Sequence, residues 1–241
     1  MIDTELVIET ADGAMNTFIT RPEEGGPHPV VFFYMDAPGK REELHDMARR
    51  LATAGYYVVL PNLYYRATAD FVLGRRPDET REQMSELMFG VGNRMVVGDT
   101  ATMLEHVDAD PDADASSIGC VGYCMSGPFS LSVAAAYPER IAAAASIYGV
   151  RLVVDTKDSP HLGLADVTAE LYIACAEHDD YAPPEMIAEL EAAIESAGTN
   201  ARVEWYPGTH HGFAFPEREA YDKAAAERHW ERLHALFSRN L

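Results

Sequence analysis

Three short segments of this chain carry the side chains of nucleophilic catalysis: Gly122-Tyr123-Cys124-Met125-Ser126-Gly127, Glu177-His178-Asp179-Asp180-Tyr181 and Thr209-His210-His211-Gly212-Phe213. A thiol is a strong nucleophile once it loses its proton, a histidine can take and return that proton, and a carboxylate can fix the imidazole tautomer. Cys124 has glycine two positions before it and a small residue two positions after it, as a crowded and strained turn requires. The apolar run Ile118-Gly119-Cys120-Val121 reads as a buried strand, and Pro128 to Ala136 reads as a helix rich in small residues. Strand, tight turn and helix are the setting of a nucleophile elbow, which lifts one side chain out of the backbone. The helix that begins just past Cys124 offers N–H groups and a positive dipole end to a thiolate or an oxyanion.

The acid and the base follow in order. Asp179 and Asp180 come after a strand read over Leu171 to Ala176, in a polar turn closed by Pro183-Pro184. Open α/β sheets build their sites at such strand ends. Either carboxylate fits the acid, and the other would cap the helix read from Pro184 to Ala197. His210 and His211 follow a strand read over Ala201 to Tyr206 and a Pro207-Gly208 turn, and Gly212 leaves room for a protruding ring. Each segment alone has an ordinary structural reading: cysteines are common in cores and acidic turns cap helices. Together they run nucleophile, acid, histidine, the chain order of α/β-hydrolases.

The elements that must position these groups alternate strand and helix. That predicts an α/β-hydrolase fold, a mostly parallel central sheet with helices on both faces. Val30-Val31-Phe32-Phe33-Tyr34-Met35 reads as a central parallel strand. Leu6 to Glu9 and Asn16 to Thr20 read as a hairpin around Asp12-Gly13, and Arg218 to Ser238 as a long terminal helix. The least regular stretch, Tyr65 to Asp78, reads as a loop over the mouth of the site. With no linker, repeat or low-complexity segment, the reading is a single domain over residues 1–241.

Composition narrows the function. Nineteen basic residues against 39 acidic ones give a net charge of −20, which argues against nucleic acid and opposes anionic substrates. Met1-Ile2-Asp3-Thr4-Glu5 has no signal-peptide character, and no apolar stretch is long enough to span a membrane. Three cysteines, an odd number, fit free thiols in a reducing cytoplasm, with Cys120 and Cys175 as core residues. The histidine, cysteine and acidic spacings match no zinc pattern, so neither a metal nor a cofactor is expected.

On these motifs the chain resembles the dienelactone hydrolase, or carboxymethylenebutenolidase, family over roughly Val30 to Phe237. The passage from Arg49 through Gly55 to Pro61-Asn62-Leu63-Tyr64 resembles the family's helix, glycine, strand and Pro-Asp-Leu-Tyr run. The resemblance implies Cys124 as nucleophile. It selects Asp179, with Pro183 four positions on, over Asp180. It selects His211, before a small residue and Phe213, over His210. The expected reaction is hydrolysis of a small ester or lactone through a Cys-His-Asp triad and a thioester. Met125 N–H and a second N–H, from Ala37 because Pro38 has none, would hold the oxyanion. Asp36 matches a family glutamate that bonds the resting thiol, although aspartate is one carbon shorter. Arg81 matches one arginine of a substrate-carboxylate clamp, while Phe215 stands where the second would be, with Arg218 as the nearest basic residue. Asp36, Arg81 and Phe213 are the expected substrate-side residues, for a substrate that is neutral or aromatic. A thioesterase, another acyl-transfer enzyme or a non-catalytic binding protein on the same scaffold are the alternatives, as a monomer or homodimer.

Overall fold

A half-exposed hairpin begins the chain. β1 (Ile2–Thr10) and β2 (Gly13–Arg21) pair antiparallel from Ile2↔Arg21 to Thr10↔Gly13, and Gly13 takes the φ of +135° that closes the turn. β1 stays mostly exposed, while Met15 and Thr17 to Thr20 of β2 are buried. The computed structural model describes residues 1–241 as two compact units, Met1–Ile118 and Gly119–Leu241.

In the first unit, β3 (His28–Tyr34) runs parallel to β4 (Tyr57–Pro61), and β2 pairs antiparallel with β4, giving the order β1-β2-β4-β3. Both β3 and β4 are almost continuously buried, as their apolar runs require. α1 (Glu42–Thr53) buries Leu44, Met47, Ala48, Leu51 and Ala52 on one face. α2 (Arg81–Phe89) buries none of its residues, and α3 (Asn93–Ala109) buries Val96, Met103, Leu104 and Val107. The boundary between units falls inside β5 (Ala113–Tyr123).

The second unit holds the end of β5, then α4 (Gly127–Ala136), β6 (Ile141–Ile147), β7 (Glu170–His178), α5 (Pro184–Ala197), β8 (Ala201–His210) and α6 (Lys223–Asn240). Its strand order is β5-β6-β7-β8, and β6, β7 and β8 are parallel. The alanine-rich β6 lets α4 approach closely. Ser130 Oγ donates to the carbonyls of Gly127 and Ala145, tying the helix to that strand. A Cβ on Gly127 would lie 2.4 Å from Gly149 Cα, so only glycine fits there.

Two boundaries differ from the sequence reading. β8 runs through Pro207-Gly208 to His210, because an edge strand loses no ladder bond at a proline and the Glu177 carboxylate accepts the Gly208 N–H. α6 starts at Lys223, not Arg218, because Asp222 caps it by accepting the Ala225 N–H at 2.9 Å.

Candidate active site

The elbow forms where β5 meets α4. Cys124 has φ of +56°, a left-handed conformation that costs a non-glycine residue on the order of 1–2 kcal/mol. Neighbouring residues hold it there. A Cβ on Gly122 would lie 2.0 Å from Ser126 O, so the turn requires glycine. The Ser126 hydroxyl accepts the Tyr123 N–H at 2.9 Å and donates to the Tyr123 carbonyl at 3.0 Å. Ser126 is therefore more than a small residue; it staples the turn. The Cys124 carbonyl accepts the Val150 N–H at 3.1 Å, and the Tyr123 hydroxyl is paired with His229 Nε2 on α6 at 3.1 Å. A short 3₁₀ turn, Cys124–Ser126, leads straight into α4 and sets Cys124 and Met125 at the positive end of the helix.

The two ends of β7 and β8 deliver the acid and the imidazole side by side. Asp179 is buried, and its Oδ2 lies 2.7 Å from His211 Nδ1. Its Oδ1 accepts the N–H groups of Tyr181 at 2.9 Å and Ala182 at 3.2 Å, so both oxygens are fixed. Asp180 is exposed. His178 and His210, paired across the strands, are also exposed, with their rings 5.1 Å apart. Both line an open cleft of about 690 Å³ with Glu177, Asp179, Asp180 and Pro183-Pro184. Neither Cys124 nor His211 lines that cleft.

With Nδ1 facing Asp179, the other ring nitrogen of His211 is free of that pair, and Cys124 is near enough to contribute to the electrostatics of the imidazole. Burial disfavours a charged ring, but the bond to Asp179 and the attraction of Asp179 and Cys124 outweigh it. Together they push the His211 pKa up from 6.5 to about 9. The imidazolium is then the form present at neutral pH. Two tyrosine rings flank the imidazole edge-on, buried Tyr148 at 5.1 Å and exposed Tyr181 at 5.0 Å.

Gly212 takes φ of +91°, and a Cβ there would lie 3.0 Å from Arg218 Cδ and Nη1. Successive turns, Phe213 N–H to His210 O, Phe215 N–H to Gly212 O and Arg218 N–H to Phe215 O, fold this loop back on itself. They bring the Arg218 guanidinium over the Phe215 ring at 4.7 Å, beside the histidine segment. Phe213 has no exposed surface; it stacks on Tyr206 at 4.7 Å and meets Tyr148 edge-on. Its ring therefore presents no open face to a substrate and instead supports the loop that carries His211.

The remaining residues singled out from sequence lie in the first unit. Asp36 is fully buried and accepts from Arg41, at 2.5 Å to Nη1 and 3.4 Å to Nη2; Arg41 also pairs with Glu43. Burial works against the Arg41 charge, but the two carboxylates raise its pKa further. The Ala37 carbonyl accepts the Tyr64 hydroxyl at 2.8 Å, which fixes the orientation of this loop. Gly39 takes φ of +95°, where a Cβ would lie 2.1 Å from Phe71 O, and Leu73 N–H bonds Pro38 O. The irregular stretch read over Tyr65 to Asp78 thus packs on the Met35-to-Gly39 loop. Glu79, bonded by Arg75, Arg76 and the N–H groups of Val72 and Arg76, closes it. Arg81 opens α2 and is exposed.

Arg41, Tyr148, Val150, Tyr181 and Arg218 all shape these groups without having been read as site residues. Arg218 left a trace in sequence as the basic residue nearest Phe215, and Tyr181 as a member of the acid turn. No helix is long and apolar enough to cross a membrane.

A cysteine raised on a strained strand-to-helix turn, with a carboxylate and a histidine supplied from later strand ends, defines an α/β-hydrolase. Comparison with known proteins narrows the class. The profile of the dienelactone hydrolase family matches residues 15–241, and the chain belongs to that family, whose members are ester and lactone hydrolases. A Methylorubrum extorquens protein provisionally named carboxymethylenebutenolidase is 28% identical over 241 residues, covering 98% of this chain and 81% of that protein. The carboxymethylenebutenolidase of Rhodococcus opacus is 25% identical over 232 residues, covering 93% and 86%. A solved Klebsiella pneumoniae structure, provisionally a dienelactone hydrolase, superposes with a TM-score of 0.88 at 25% identity and covers 98% of each chain.

Proposed function

We propose that this hydrolase cleaves small carboxylic esters or lactones with Cys124 as nucleophile, His211 as proton carrier and Asp179 as the group that orients His211. The observation that supports the reading is the buried Asp179–His211 pair, 2.7 Å apart, in the same unit as Cys124 on its left-handed elbow. Cys124 Sγ attacks the carbonyl carbon, and the tetrahedral oxyanion is held by the Met125 N–H at the start of the helix, with Ala37 N–H as the proposed second donor. Collapse breaks the C–O bond to the leaving group, which takes a proton from His211, and leaves a thioester on Cys124. In a lactone that alkoxide stays on the same molecule as a hydroxyl. Water then attacks the thioester and gives a proton to His211, and the carboxylic acid departs as the thiolate re-forms.

The charge state of His211 bears on each step. A pKa of about 9 means that the proton needed by the leaving group is in place at neutral pH. As pH rises through about 9 that proton is lost. Alkyl esters, whose leaving groups need it, then slow more than aryl esters. The net charge of −20 favours neutral substrates. Phe215, standing where a clamp arginine would be, is fully buried and supplies no charge for a substrate carboxylate, which favours the same choice. Turnover of oxygen esters, lactones and thioesters by wild type and Cys124→Ala tests the reading. We expect oxygen esters and lactones to be preferred and all turnover to vanish in the variant. Preference for thioesters assigns the thioesterase instead, and absence of any turnover assigns a binding protein.

A further inference from the structure

We infer that Tyr181 is a specificity residue for the leaving group, a contact that rests on the ester-hydrolase reading above. The sides of His211 are unequally occupied. Nδ1 is taken by Asp179, and the buried ring of Tyr148 packs edge-on against the imidazole at 5.1 Å. The second ring against it is Tyr181, 69% exposed and edge-on to the imidazole at 5.0 Å. The His211 side chain keeps only 12% of its surface open to solvent. Of the two rings against the imidazole, Tyr181 is thus the one that a leaving group collecting a proton from His211 can meet from solvent.

Tyr181 is fixed where it matters and open where it could bind. Its N–H bonds Asp179 Oδ1 at 2.9 Å, so its backbone is tied to the same carboxylate that orients the imidazole. Its ring is one of few large apolar groups left in water, on a chain that buries most of its aromatic residues. An exposed aromatic face at a fixed distance from the proton donor suits an aryl group by offset or edge-on packing, which adds to area burial. An alkyl leaving group gains less from the same ring. The hydroxyl is not needed for this contact, so phenylalanine should serve equally.

The test compares aryl acetates with fluoroalkyl acetates of matched leaving-group basicity, so that intrinsic reactivity cancels. We expect the ratio of kcat/KM, aryl over fluoroalkyl, to fall about fivefold or more in Tyr181→Ala. It should return in Tyr181→Phe, and the preference among acyl chains on a common phenol should stay unchanged. If Tyr181 acted only by positioning His211, both series would slow together and the ratio would stay as in wild type, because leaving groups of matched basicity need the acid equally. An unchanged or increased ratio overturns the inference. Wild type inactive on both series would instead overturn the hydrolase reading and this inference with it.

Discussion

Replacing Asp179 by asparagine removes the negative charge 2.7 Å from His211 Nδ1 while keeping the size of the side chain. The rise of the His211 pKa from 6.5 to about 9 corresponds to about 3 kcal/mol in favour of the imidazolium. That preference is the surplus of two attractive partners, Asp179 and Cys124, over the cost of burial. Asp179→Asn should therefore lower the pKa well below 9. Adding Cys124→Ala should take it below 6.5, because burial then acts unopposed. Turnover should fall by roughly 10³- to 10⁴-fold in the single variant, since an amide stabilises the wrong tautomer. The same shift has a stability counterpart. A group whose pKa rises on folding stabilises the native state fully below its unfolded pKa, near 6.5, and that contribution is lost as pH climbs through about 9. Urea unfolding of wild type should lose stability over this interval relative to Asp179→Asn. Titration of the His211 ring protons by NMR is the direct assay. A His211 pKa near 6.5 in wild type, or one still near 9 in Asp179→Asn, refutes the reasoning.

Other perturbations test the neighbouring parts of the account. Iodoacetamide should label Cys124 well before Cys120 or Cys175, because burial pushes both of those thiols up, Cys175 to about 12; mass mapping that finds either one labelled first contradicts this. Gly122→Ala places a Cβ against Ser126 O and should cost several kcal/mol or abolish folding, whereas Ser126→Ala loses two buried bonds and about 1–3 kcal/mol in urea melts. His210→Gln and Asp180→Asn alter exposed side chains on the neighbouring cleft and should leave kcat within a few-fold of wild type. Neutral aryl esters should be turned over at least as efficiently as dienelactone, and Arg81→Ala should change little. A hundredfold preference for dienelactone, about 2.7 kcal/mol, that is lost in Arg81→Ala would contradict it.

The parts of the site that sequence made legible are local. Gly122, Cys124 and Ser126 announce the elbow because a strained turn restricts the residues within a few positions of its apex. The Asp179 and His211 loops were legible as strand ends followed by turn residues. Sequence could not separate a strand's end from a proline on a sheet edge, so β8 was read as stopping at Tyr206 although it continues to His210. Nor could it place α6 at Lys223, because Asp222 outcompetes an earlier start only once Phe215 and Arg218 have formed their turn. The flanking rings of Tyr148 and Tyr181, the Val150 bond to the Cys124 carbonyl and the Arg218 guanidinium beside Gly212 all depend on chain segments meeting in space. Phe213 illustrates the same limit: its position in the motif was legible, but its full burial was not.

The central claim is that a thioester forms on Cys124. Rapid acid quench during turnover of an aryl ester, followed by peptide mapping, tests it most directly. The account predicts one acyl group per chain, located by fragmentation on Cys124 and absent from Cys124→Ala. Acylation of Ser126 or another side chain, or rapid turnover with no covalent acyl group at any quench time, would contradict it.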